Sequence, residues 1–160
     1  FEMLILEGAQ AGLSWETILK RRGTYRKAYK NFDPKIIAKF TKLDKRRLLA
    51  DEGIIRNRLK IKASILNAVY FLEIQKEYGS FSNYIWSFTD NKITNHKVKE
   101  IGDIPANNNL SDTISEDLKK RGFKFVGSTI IYAYIEAIGI INDHEISCFR
   151  YLQIKGNNNQ

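Results

Sequence analysis

Apolar residues recur along this chain at helical spacing, and strict apolar/polar alternation is almost absent, so the pattern predicts an all-α fold. The first apolar run, Phe1 to Ala11, stops at Gly12, and Ser14 is placed to cap a second helix from Trp15 to about Arg22. Asp33-Pro34 is a strong helix start, because Asp accepts from free N–H groups and Pro at the first helical position sacrifices nothing. The helix that follows should reach about Phe40. Asp44 opens another that stops near Gly53, and Asn57 to Tyr78 reads as a long helix with Leu59, Ala63, Leu66 and Tyr70 on its core face.

Ser80 is placed to cap a short aromatic turn, Phe81 to Phe88, in which Trp86 and Phe88 read as core. Asp90 to Leu110 is polar, with Gly102, Pro105 and three consecutive asparagines, and reads as a surface loop carrying a surface His96. Ser111 should start a helix ending at Gly122. Ser128 should start a nearly all-apolar one ending at Gly139, and an apolar circumference implies burial on all sides. One compact domain over residues 1–154 is expected, with residues 155–160 a disordered tail.

Composition narrows the partners. Lys plus Arg number 26 against 18 Asp plus Glu, and the net charge of +8 favours a polyanion, either nucleic acid or an acidic membrane surface. The longest apolar stretch, Thr129 to Ile141, is interrupted by Glu136 and is too short to span a bilayer, so no membrane insertion is expected. A single cysteine, Cys148, excludes an internal disulfide framework and fits a reducing cytoplasm. The chain opens on Phe1 with neither an initiator Met nor a basic signal region, so a trimmed N-terminus is expected.

Two segments carry candidate chemistry. Lys119 to Thr129 is a basic connection bounded by Gly122 and Gly127. Glycines let backbone approach another surface, and the free N–H groups where the Ser128 helix begins suit a DNA phosphate. The segment, within residues of about 111–139, resembles a helix-hairpin-helix module, in which Lys120, Gly122, Phe123, Lys124, Gly127, Ser128 and Thr129 would meet the phosphate backbone. A plain pair of helices with a solvated basic face is the alternative.

The other segment, Leu6-Glu7-Gly8-Ala9-Gln10-Ala11-Gly12-Leu13-Ser14-Trp15, sets a carboxylate in an apolar helix and an indole just past a sharp corner. A buried carboxylate is unfavourable unless something pairs with it, and a cationic or hydrogen-bond-donating ligand would serve. Taken alone, such a pair reads as Glu7 facing solvent and Trp15 packing in the core.

The whole string closely resembles the N-terminal signature of the constitutive bacterial 3-methyladenine DNA glycosylases. The resemblance continues through Phe32-Asp33-Pro34, Gly53-Ile54-Ile55-Arg56, Phe81 to Phe88, Lys119 to Gly127 and Asn142-Asp143-His144. It implies that Glu7 hydrogen-bonds the edge of a flipped base and acts as the catalytic carboxylate, while Trp15 stacks on the base face. It implies a monofunctional, monomeric repair enzyme that hydrolyses the N-glycosidic bond of 3-methyladenine in double-stranded DNA and leaves an abasic site. The corner at Gly12 and Leu13 lies beside that pocket. Leu13 could fill the gap left in the duplex, or could simply pack the helix corner.

The resemblance further implies a structural zinc held by His144 and Cys148 with a Cys and a His near the N-terminus, and upstream aromatic residues that wall the pocket. Only two of those four zinc ligands are present here. A DNA-binding module with an incomplete pocket, and a protein-interaction domain whose basic face serves solubility, remain as alternatives.

Overall fold

A computed structural model of the chain describes residues 1–156. Its helices are α1 (Glu2–Gln10), α2 (Trp15–Ala28), α3 (Pro34–Ile37), α4 (Lys42–Ala50), α5 (Arg58–Tyr78), α6 (Phe81–Ser87), α7 (Asn109–Lys120), α8 (Ser128–Ala137) and α9 (Phe149–Gly156). Two strands of two residues each, β1 (Thr94–Asn95) and β2 (Ile141–Asn142), pair in parallel. The fold is all-α. Among the described residues, no helix is long and apolar enough to cross a membrane.

The core is divided by a septum made of α1 and α5. On one side Ile5, Leu6 and Ala9 of α1 join Ile61, Ile65 and Ala68 of α5 against Ile18, Tyr25, Tyr29, Phe32, Ile37 and Leu48. On the other, Leu4 of α1 and Phe71 and Ile74 of α5 meet Phe81, Tyr84, Ile114, Leu118, Phe123, Ile131 and Ile135. Residues Leu4 to Ala9 are all buried, which an amphipathic surface helix could not satisfy but a central one can.

The helix starts follow capping chemistry, sometimes a turn earlier than the sequence suggests. Ser14 caps α2, but that helix continues past Arg22 to Ala28. Asp33 caps α3 from its side chain and Pro34 takes the first helical position, as expected, although α3 ends at Ile37. The start assigned to Asp44 belongs to Thr41, which forms a reciprocal capping box with Asp44. The start assigned to Ser111 belongs to Asn108, whose side chain accepts from Ser111 N while Ser111 Oγ accepts from Asn108 N.

The core face of α5 is rotated from the expected one. Ala63 is buried, but Leu59 is 67% exposed and Leu66 and Tyr70 are half-buried, while Ile61, Ile65, Ala68, Phe71 and Ile74 fill the core. The residues from Asp90 to Leu110 are more than a surface loop: β1 docks on β2, Asn142 Nδ2 donates to Asn95 Oδ1 at 2.9 Å, and Val98 is buried. Trp86 and Phe88 pack partly buried against the core. The helix α9 continues through Gly156, so the disordered tail expected from residue 155 is helical at its start, and its remainder lies outside the described residues.

The connection from α7 to α8 is fixed from three sides. Gly122 adopts φ +102°, and a Cβ there would fall 2.5 Å from the Tyr70 ring. Asn67 of α5 clamps the backbone of Lys124, donating to its carbonyl at 2.8 Å and accepting from its N–H at 2.9 Å. Ser115 Oγ donates to the Val126 carbonyl at 2.7 Å. The backbone of α1 comes equally close, since a Cβ on Gly8 would lie 3.2 Å from the Phe125 carbonyl oxygen.

Gly122→Ala is therefore expected to cost about 2–4 kcal/mol, combining a left-handed backbone with overpacking against Tyr70. Gly102→Ala, where a Cβ meets nothing within 4 Å, should stay within about 0.5 kcal/mol of the parent. Urea denaturation of both variants measures the difference.

Candidate functional site

Glu7 sits midway along α1 with both helix neighbours buried, and only 4% of its surface remains exposed. Its side chain lines a cleft of about 420 Å³ together with Gln10, Trp15, Ala133, Glu136, Ala137, Asp143 and His144. That volume falls within the usual range of small-molecule sites, roughly 300–1,000 Å³. Among the described residues nothing donates a hydrogen bond to the Glu7 carboxylate and no cation pairs with it. Burial, reinforced by the charge of Glu136, pushes its pKa up to about 7.

Three helices and one strand end build the cleft. Trp15 opens α2 directly after the Ser14 cap, so the corner between α1 and α2 aims the half-buried indole at the cleft. One face of α8 supplies Ala133, Glu136 and Ala137. This face overturns the expectation that α8 is buried all round: Ile131, Tyr132, Tyr134 and Ile135 are buried, and the small alanines leave the opposite side hollow. Glu136 also has a raised pKa, from burial first and then from the nearby Asp143 charge.

Asp143 is held from behind by two donors. Its carboxylate accepts from the Tyr132 hydroxyl and lies 2.7 Å from His96 Nδ1. His96 reaches the surface as the sequence suggested, but its ring turns inward and is only 29% exposed. The cleft wall thus carries Glu7, Glu136 and Asp143, an acidic pocket in a basic protein. Of these, sequence reasoning singled out Glu7 alone. Glu136 offered the same signal as Glu7, a carboxylate inside an apolar helix. The approach of Asp143 to α8 had no local signal.

His144 and Cys148 lie together, with Cys148 Sγ 3.8 Å from His144 Nδ1. A thiolate and an imidazole sharing one tetrahedral zinc stand roughly 3.5 Å apart, so the pair fits half of such a site. Among the described residues, no third His, Cys, Asp or Glu joins them. His144 also lines the cleft, a position the sequence did not suggest.

The connection from α7 to α8 presents a different surface. Lys120, Lys124 and Thr129 are exposed, and a Cβ at Gly127 or at Gly12 would meet nothing within 4 Å, so both glycines face open space. Gly127 begins α8 without a side-chain cap, leaving the first N–H groups of that helix free for an external acceptor. Leu13 is 40% exposed at the corner formed by Gly12, whose φ is +77°.

Two of the expected contact residues face inward. Phe123 is 1% exposed and belongs to the core, so its side chain cannot touch DNA. The Ser128 hydroxyl bonds Asp112 and Ser111, which leaves only its backbone for an anion. Arg121, counted with the basic flank, is also committed internally: its guanidinium pairs with Asp117 at 2.7 Å and Glu77 at 2.6 Å and lies over the rings of Tyr78 and Tyr84.

Fold and cleft together define an all-α protein with an acidic pocket, edged by a tryptophan and walled by a helix that begins at a basic, glycine-bounded connection. Residues 1–151 match the model of the family described as methyladenine glycosylase. The DNA-3-methyladenine glycosylase 1 of Escherichia coli (strain K12) is 44% identical over 151 residues, which cover 94% of this chain and 81% of that protein. A crystal structure of 3-methyladenine DNA glycosylase I superposes with a TM-score of 0.89 at 46% identity, covering 92% of this chain and 81% of the other. A point variant of 3-methyladenine DNA glycosylase I, solved in complex with 3-methyladenine, gives a TM-score of 0.90 at 34% identity, with 92% and 80% covered. The chain belongs to the methyladenine glycosylase family.

The raised pKa of Glu7 has a measurable consequence. Because the folded chain holds this proton more tightly than the unfolded chain, Glu7 costs nothing below its ordinary pKa of 4.5; its penalty grows as pH rises from there and levels off above about 7. A shift of that size corresponds to roughly 3 kcal/mol. Glu7→Gln is expected to match the parent near pH 4 and to exceed it by up to about 3 kcal/mol near pH 8 in chemical denaturation, the neutral amide escaping the cost of charge burial.

Proposed function

We propose that this chain hydrolyses the N-glycosidic bond of 3-methyladenine in alkylated double-stranded DNA, leaving an intact abasic site. The observation that carries this reading is the buried Glu7 carboxylate, facing a cleft of ligand size without a cation to pair with it. Methylation at N3 makes the adenine a cation while it is attached to the sugar, and such a base supplies the missing charge. Ordinary adenine is neutral and leaves the carboxylate unpaired.

In this reading Glu7 accepts a hydrogen bond from the edge of the flipped base and Trp15 covers its face. The C1′–N9 bond breaks with its electron pair leaving on the purine, so 3-methyladenine departs neutral and the positive charge passes to the sugar. Water adds to C1′ and releases a proton to solvent. The net charge on the reacting nucleoside stays at +1 throughout bond breaking and only moves from base to sugar, so the carboxylates Glu7, Glu136 and Asp143 favour it before and during the step. Selectivity then arises because a neutral base would require charge to be separated rather than moved.

The connection between α7 and α8 is read as the helix-hairpin-helix that anchors the duplex, with Lys120 and Lys124 attracting phosphate and the backbone from Gly127 to Thr129 donating to it. Gly12 and Leu13 form the corner that enters the gap left by the base. Pocket and anchor both come from one chain, which supports action as a monomer, and a free Cys148 suits the bacterial cytoplasm. His144 and Cys148 would supply two ligands of a structural zinc, and the chemistry does not pass through it.

Release of free 3-methyladenine from methylated duplex DNA, followed by chromatography, tests the assignment. Glu7→Gln should lower kcat/KM by on the order of 10- to 100-fold, the value of one charge-assisted hydrogen bond. Trp15→Ala should lose a comparable factor through the lost stacking. Salt-sensitive duplex binding without any released base would instead favour a binding module. Lys120→Ala and Lys124→Ala should each reduce the dependence of log K on log salt by about one, without changing base preference.

A further inference from the structure

Two polar residues of the long helix α5, Lys60 and Asn67, lie away from the base cleft and hold the backbone of neighbouring elements. The Lys60 ammonium donates to the carbonyls of Ala9 at 2.9 Å and Ala11 at 2.6 Å, the last turn of α1 before the Gly12 corner. Asn67, 3% exposed, holds both the N–H and the carbonyl of Lys124 in the connection to α8. Among the described residues Lys60 has no carboxylate partner, and burial lowers its pKa. A partly buried cation in the first turn of a helix is unfavourable in its own helix field, and here it is offset by the carbonyl end of α1.

Lys60 and Asn67 are seven residues apart, so they share one face of α5 and are separated by two turns, about 10.5 Å. We propose that Lys60 and Asn67 are positioning residues that use α5 as a rigid spacer, fixing the distance between the base-flipping corner at Leu13 and the phosphate-binding connection at Lys124. The inference rests on the activity proposed above and deepens it. A duplex gripped at the connection presents its target base at a fixed offset, and the corner must arrive at that offset to enter the stack. Glu7 and Trp15 contact neither residue: Glu7 is seated by the packing of α1 into both halves of the core and Trp15 by α2 behind its Ser14 cap, so the pocket keeps its walls when the end of α1 is released. Displacement of the corner would impair extrusion of the base and leave recognition of an already extruded base intact.

The test compares the full chain with Lys60→Met, Lys60→Arg, Asn67→Ala and the Lys60→Met/Asn67→Ala double variant. Four readouts are used: release of 3-methyladenine from methylated duplex, release from methylated single strands, affinity for the free base, and salt dependence of duplex binding. The expected result for Lys60→Met is a loss on the order of 10- to 100-fold on duplex. Single-strand release and free-base affinity should remain within about twofold of the parent, and the salt dependence should not change, because this ammonium points inward. Lys60→Arg should recover most of the loss. The double variant should lose no more than the worse single variant, since either break frees the same offset.

Four results would each overturn the spacer: equal losses on duplex and single strand, full duplex activity in Lys60→Met, multiplicative losses in the double variant, or a salt dependence lowered by about one, which marks a direct phosphate contact. Should Asn67→Ala fail to fold, the Lys60 series decides alone. Absence of base release by the parent chain would sink the proposed activity instead, and parental free-base affinity tells the two failures apart.

Discussion

A carboxylate inside a protein needs a partner, and Glu7 has been given a hollow in place of one. Had a lysine or arginine filled that position, the chain would be more stable and its cleft would be closed to any cation. The fold instead holds the charge at the middle of its most buried helix, with both ends of α1 fixed. Glu2 pairs with Arg22 and Arg26 at one end, and Lys60 holds the carbonyls at the other. The packing of Leu4, Ile5, Leu6 and Ala9 into the two halves of the core keeps α1 from rotating Glu7 into water to relieve the cost. Burial there, with the charge of Glu136, is what raises its pKa.

The septum of α1 and α5 also explains why cleft and anchor share one framework. Gly8 follows Glu7 in sequence and lets the Phe125 backbone come within van der Waals contact of α1, so the residue beside the carboxylate is also the one that seats the connection. From the other side, α8 begins at the connection and supplies Glu136 to the cleft two turns later. Movement of the anchor therefore cannot be absorbed locally, because packed helices shift as bodies and not as separate side chains.

Much of this was legible in the sequence, for physical reasons. Capping residues act on their own neighbours, so Ser14, Asp33 and Asn57 marked helix starts without knowledge of the fold, and Gly12 and Gly122 marked backbone turns that only glycine adopts readily. Errors came where a choice depended on distant packing. Leu59 and Leu66 are apolar at helical spacing, but the septum lies along the Ile61 face, and no periodicity within α5 distinguishes two apolar stripes. Phe123 sits inside a basic motif yet points to the core, because the tight turn at Gly122 directs alternate residues inward. The acidic wall joins Glu136 of α8 and Asp143, just past β2, to Glu7 of α1, a convergence that only the tertiary fold creates.

The opposed charges of surface and cleft divide the work between them. Exposed lysines beside the connection create a positive field that favours a polyanion but disfavours a cationic base. If that field reached the pocket undiminished, a cationic base would be repelled by the very charges that attract a polyanion. The acidic wall reverses the sign over a short distance, and the low polarity of the helices around it prevents solvent from screening the reversal. A basic exterior without the interior acids would bind DNA of every kind, and the acids without the exterior would reject the backbone that carries the base. On the function proposed above, only the two together would select a positively charged base on a negatively charged strand, with α1 carrying the acid while its neighbours carry the lysines.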